Sequence, residues 1–192
     1  MLVVREAEVG AVAFARLRRE GLLHERVGTR ALPLDVASTA HLRWHLVEPY
    51  VAAHTWATGL VALWIRGVAP VPPVISLVGA RGLHRVVPPA GAPPVFFRSG
   101  PSLGLTNVRV PAGRVGPGPR AWRVAAMPRA CVDALTYDPV GLALPAVGRA
   151  LRERRVTPRA LEAAVERVGR RKRGHPRAVA LVAALVEAFG DP

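Results

Sequence analysis

Arginine is the residue type with the most chemistry to offer in this sequence. Of 27 basic residues only Lys172 is lysine, and 13 acidic residues leave a formal charge of +14. Clustered arginines neutralise phosphates and release their counterions, so the balance points to a polyanionic partner, double-stranded DNA first. Part of the arginine excess is also what a GC-rich coding sequence would produce. Two clusters stand out. One comprises Arg16, Arg18 and Arg19 with Arg26 and Arg30 shortly after; the other is the run Arg170, Arg171, Lys172 and Arg173.

Other reactive residue types are sparse. Cys131 stands alone, which rules out an internal disulfide and a thiolate-rich zinc site. His41 and His45 are spaced to share a metal on a helix, with Glu48 on the same side. The zinc-protease pattern, however, requires Glu where Leu42 stands, and no third ligand is indicated, so a solvated helix face and no bound metal are expected. Residues 100–104 resemble a phosphate loop but lack the closing Gly-Lys-Ser/Thr and read as a turn. A metal-assisted nuclease of the restriction type needs an acidic residue two before its lysine; two before Lys172 stands Arg170. An acyl-transfer set of Cys131, His54 and Asp133 lacks a base near the thiol, so no catalytic residue and no cofactor are expected.

The elements that must position these groups follow from the apolar pattern. Apolar content is densest in residues 54–67, read as a central helix capped by Thr55, with Leu60, Leu63 and Trp64 on one face and Gly67 as a stop. It is too short for a bilayer, which needs about 20 apolar residues, and residues 1–8 offer no apolar leader, so a cytoplasmic protein without membrane contact is expected. Residues 5–21 read as a helix burying Gly10, Ala13, Phe14, Leu17 and Gly21. Residues 22–34 read as a hairpin turning at Gly28-Thr29. A basic helix followed by a basic hairpin is the second half of a winged helix-turn-helix, with helix in the major groove and wing on phosphate.

A helix after Ser38 or Thr39 should bury Ala37, Ala40, Trp44 and Val47 and end at Pro49. Short strands are expected at 71–78, 83–87, 95–98, 105–110 and 122–124, with a loop at 113–119. Helices are expected at 142–154, after the Thr157-Pro158 pair, and around Val182, Leu185, Val186 and Phe189. The fold class is therefore α/β (α+β), a mixed sheet packed with helices behind a partial winged helix-turn-helix. The composition shift at Leu34-Asp35 divides residues 1–35 from 36–192.

Two segments carry a resemblance. Ala53-His54-Thr55-Trp56-Ala57-Thr58 is similar to a Ser-His-Thr-Ser-Ala-Ala motif, and residues 126–133 to Ser-Pro-Ala-Arg-Thr-Leu-x-Asp, with His54, Thr55, Arg129 and Asp133 kept. Over roughly residues 10–190 the chain resembles the AbiEi-like antitoxins and transcriptional regulators of abortive-infection, type IV toxin–antitoxin systems. It departs from them where the Thr after Arg becomes Ala130. The resemblance implies an N-terminal winged helix on operator DNA, here N-terminally shortened, and a C-terminal domain opposing a nucleotidyltransferase toxin without necessarily touching it. The alternative is a non-enzymatic interaction or remnant domain of a longer protein that carried an endonuclease domain like that of very-short-patch-repair enzymes.

Overall fold

The computed structural model describes residues 2–79, 91–99, 105–109, 121–168 and 174–190. Chain order begins with β1 (Val4–Arg5), α1 (Glu6–Val9), α2 (Ala11–Arg19), β2 (Leu23–Val27) and β3 (Arg30–Pro33). The three strands form a small antiparallel sheet in the order β1-β3-β2. The hairpin turns at Gly28-Thr29 as its sequence requires. The expected single helix over 5–21 is instead two, broken at Gly10, whose φ of +84° suits glycine. Of the expected buried face only Phe14 is buried; Gly10, Ala13 and Gly21 are exposed and Leu17 is intermediate. A nine-residue helix with one anchor is held by its neighbours and not by its own stripe.

The hairpin is fixed to the rest of the chain through Glu25. A register shift between His24 and Val27 leaves Glu25 at positive φ, +44°. Its carboxylate accepts hydrogen bonds from Ser38 Oγ, from Arg43 Nε at 3.2 Å and from Trp64 Nε1 at 3.4 Å. Arg43 belongs to α3 (Ala40–Val47) and Trp64 to α4 (Gly59–Ile65), so one bulged residue clamps the hairpin to two helices. Thr39 caps α3 by accepting from Leu42 N–H. Leu42, Trp44, Leu46 and Val47 are its buried residues, whereas Ala37 is exposed and Ala40 only partly covered. A 3-10 turn, Glu48–Tyr50, follows, and Tyr50 Oη donates to the Val27 carbonyl.

The larger sheet is mixed. It comprises β4 (Thr55–Ala57), β5 (Ile75–Gly79), β6 (Val95–Ser99), β7 (Leu105–Arg109) and β8 (Ala121–Ala125), in the order β6-β5-β4-β8-β7. Strand β4 runs antiparallel to β5 and parallel to β8, while β6 is parallel to β5 and β7 antiparallel to β8. Against it packs α4, and α5 (Met127–Tyr137), α6 (Val140–Arg152), α7 (Pro158–Val168) and α8 (His175–Phe189) pack on α4 and on one another. All seven residues of α4 are buried, so the densest apolar stretch is the centre of the core. Its start is nonetheless corrected: Thr55 lies in β4 and Thr58 occupies the N-cap position. The β-rich pattern Thr-Trp-Ala between two packed strands overrode the helical spacing that Leu60, Leu63 and Trp64 impose further on. Gly67, at φ +83°, ends the helix as expected, and Thr157 caps α7 by accepting from Ala160 N–H. The expected strand at 83–87 and the loops at 100–104 and 113–119 lie outside the described residues.

The Glu25 clamp sets a direct expectation. Glu25→Ala removes a charged acceptor from three donors and should cost about 1.5–3 kcal/mol in urea unfolding. It should also speed tryptic cleavage between residues 18 and 30; unchanged cleavage there would refute the clamp.

Candidate functional site

The most concentrated polar chemistry lies buried between the sheet and α5. Asp133, on α5, is fully buried, and one of its oxygens, Oδ2, is approached by three partners. Thr58 Oγ1 donates at 2.6 Å and Arg129 Nε, one helical turn earlier, at 2.9 Å. Arg98 Nη2 of β6 lies at 3.0 Å. The Arg98 contact is one of charge and not of hydrogen-bond alignment, since none of its guanidinium nitrogens makes a hydrogen bond among the described residues. Its guanidinium carbon sits 3.8 Å from the centroid of the Tyr137 ring, a cation–π stack. Burial alone would push the Asp133 carboxyl up, but Arg98, Arg129 and the hydrogen bonds from Thr58 and Arg129 together hold it below the usual carboxylate range.

A second carboxylate works beside the first. Thr58, at the N-cap position, makes no cap hydrogen bond through its side chain, and the N-terminus of α4 is satisfied from elsewhere: Asp138 Oδ2 accepts from Leu60 N–H at 2.7 Å, and Oδ1 accepts from Ser76 Oγ at 3.0 Å. Gly59 is required there, at φ +57°, because a Cβ would fall on Asp138 Oδ2. Burial raises the Asp138 pKa, against the opposing effects of Leu60 N–H, Ser76 and Arg98. Ser76, Phe96, Tyr137 and Asp138 also line a small cavity of about 180 Å³. Cys131, one turn before Leu135 on the same helix, is fully buried, and burial pushes its thiol up to about 12, which leaves no thiolate for nucleophilic work near neutral pH.

The four motif residues do not converge. Arg129 and Asp133 pair; Thr55, buried in β4, donates its hydroxyl to the Ala52 carbonyl, and His54 is exposed in the preceding turn at φ +59°. His54, Cys131 and Asp133 are therefore not assembled as an acyl-transfer set. The basic residues are also divided. Arg16, Arg18, Arg19 and Arg26 are exposed, with Arg16 Nε on Glu20 at 2.7 Å. Arg30 is partly buried and donates through Nη1 to the His45 carbonyl at 3.0 Å, so it ties the hairpin to α3. Residues 170–173 lie outside the described residues.

The histidines do meet. His45 Nε2 is 2.9 Å from His41 Nε2, and His45 Nδ1 is 3.2 Å from Glu48 Oε2, with His45 and Glu48 about one-quarter to one-third exposed. Desolvation and then the neighbouring His45 lower the His41 pKa.

Sequence reasoning missed Arg98, Thr58, Ser76, Tyr137 and Asp138, and it missed the exposed arginines 152, 154, 155 and 159 at the α6–α7 turn. Signals existed for two of these: a lone arginine inside the apolar strand Val-Phe-Phe-Arg-Ser, and the run Arg152-Glu-Arg-Arg155. No family model and no curated protein matches the chain. Among solved structures it is similar to the RV2827C protein from Mycobacterium tuberculosis, with 17% identity, coverage of 100% of this chain and 73% of that one, and a TM-score of 0.45.

Asp133→Ala leaves the buried Arg129 and the nearly buried Arg98 without their counter-charge and should destabilise the fold by about 3–5 kcal/mol. Thr58→Val, which removes one donor of three, should cost about 1.5–3 kcal/mol. Since the folded pKa of Asp133 is depressed, its contribution is present above about pH 4 and is lost as pH falls below it. Asp138 acts oppositely: its raised pKa favours the fold most in acid, and that contribution fades as pH rises from about pH 4 upward. Chemical denaturation from pH 3 to 7 should therefore show a shallower acid loss in Asp133→Asn than in the parent, and identical profiles would refute the assignment.

Proposed function

We propose that this chain is a DNA-binding regulator of the antitoxin class, gripping duplex DNA through α2 and the β2–β3 hairpin as a partial winged helix. The observation that carries the reading is the exposure of Arg16, Arg18, Arg19 and Arg26 on two adjoining elements, α2 and the hairpin that Glu25 holds against the core. Helical spacing sets Val12, Arg16 and Arg19 on the side away from the buried Phe14, the side a groove would receive. Phosphate contacts from arginine give affinity, while base edges give sequence preference. A cognate nucleotidyltransferase toxin enters this reading only through the family resemblance, as the activity the regulator would oppose, with or without direct contact. The buried Asp133 network, closed to solvent, is assigned a structural and not a catalytic part.

A second reading, an interaction domain with a protein partner, has its own support. Leu2, Leu22 and Leu34 stand about half exposed at one end of the small sheet, and Val12 is 86% exposed on α2. Apolar side chains left open beside arginines suit a protein surface as well as a groove.

The two readings separate in one experiment. Each phosphate contact adds about −0.9 to the slope of log affinity against log salt, so losing one arginine should flatten it by about one unit. A variant with Arg16, Arg18, Arg19 and Arg26 changed to alanine should bind duplex DNA weakly and with a slope flatter by about three to four units. Variants changed at residues 170–173, or at 152, 154, 155 and 159, should keep most of the slope. Parent-like binding by the first variant, with affinity lost only in the others, would overturn the partial winged helix; no binding by the parent at low salt would favour the interaction domain.

A further inference from the structure

We propose that His41 and His45 form a two-point clamp for a divalent transition-metal ion of the zinc, cobalt and nickel class, with Glu48 as the positioning residue behind it. Two nitrogens each about 2.0–2.1 Å from one ion stand about 2.9 Å apart at a right angle and about 3.4 Å apart in a tetrahedron. The two Nε2 atoms are already 2.9 Å apart, and their rings cross at 87° with centroids at 4.4 Å. The spacing from position 41 to 45 on α3 creates this bite, because residues four apart share a helix face.

The second observation is the group behind the inner ring. Glu48 Oε2 lies 3.2 Å from His45 Nδ1, so Nδ1 carries the proton and Nε2 is left with its lone pair outward. A carboxylate holding the far nitrogen of a ligating imidazole fixes its tautomer and raises its basicity. In the metal-free arrangement His41 Nε2–H donates to that lone pair. On binding, His41 carries its single proton on Nδ1, both Nε2 lone pairs go to the ion, and two metal-bound waters leave. No proton is gained or lost. No group of three His, Cys, Asp or Glu side chains converges on an ion among the described residues, so water completes the coordination and affinity comes from the chelate. The face is reachable: His41 is partly exposed, and so are His45 and Glu48.

The same geometry supplies a reporter. Trp122 on β8 lies 5.9 Å from the His41 ring, so a paramagnetic ion held in the clamp quenches its fluorescence and zinc does not. Untagged full-length protein is titrated with nickel, cobalt and zinc chlorides by calorimetry and by tryptophan emission. One ion per chain is expected, with partial quenching by nickel and cobalt. His41→Gln and His45→Gln, folded by circular dichroism, should each weaken binding about 100-fold, and Glu48→Gln by about 10-fold or more. Parent-like affinity in His45→Gln, or nickel binding without change in tryptophan emission, would overturn the clamp. If either histidine variant fails to fold, the emission change in the parent and its reduction in Trp122→Phe at unchanged calorimetric affinity decide the question alone, Trp44 stacked on Trp122 carrying the remainder.

Discussion

One carboxylate with no access to water must be satisfied by protein groups alone. Asp133 is fully buried on α5, and an isolated charge in that position would be neutralised or would unfold its surroundings. Arg98 comes from the edge strand β6, Thr58 from the junction of β4 with α4, and Arg129 from the preceding helical turn. The ion cluster thus fixes three separate segments relative to each other with a directionality that apolar packing lacks. Its remaining cost is visible in Arg98, which holds its charge by proximity to Asp133 and by stacking on Tyr137.

That constraint propagates. Thr58 is turned toward Asp133 and makes no cap hydrogen bond, and Asp138 supplies the acceptor at the start of α4 while also accepting from Ser76. Gly59 follows from the closeness of that cap. Helix α4, buried over its whole length, then forms the floor against which Glu25 is clamped through Trp64. A chain of contacts therefore runs from the interior carboxylate to the hairpin that carries Arg26.

The molecule separates its two kinds of arginine by depth. Arg129 is buried and Arg98 nearly so, and both serve the fold; Arg30 is tied to a carbonyl, and Arg16, Arg18, Arg19 and Arg26 face solvent. A net charge of +14 does not distinguish these uses, which is why composition points to a polyanion without indicating where one would bind.

The sequence by itself determined the mixed α/β class, the Gly28-Thr29 hairpin, the caps at Thr39 and Thr157, the Gly67 stop and the burial of Leu60, Leu63 and Trp64. Each of these depends on residues within a few positions of one another, where propensity and hydrogen bonding are local. It misjudged the start of α4, because strand pairing of Thr55–Ala57 answers to neighbours distant in the chain, and it missed that Gly10 breaks the helix expected over 5–21 by adopting a positive φ. Arg129 and Asp133 were legible as motif residues, but the helix that pairs them was not among the expected elements. That Arg98 and Thr58 join them, that Asp138 caps α4, and that His41 faces His45 across 2.9 Å were decided only by tertiary structure. Charge and hydrogen-bond partners are chosen by distance in space, and a sequence specifies which groups are available without saying which of them will meet.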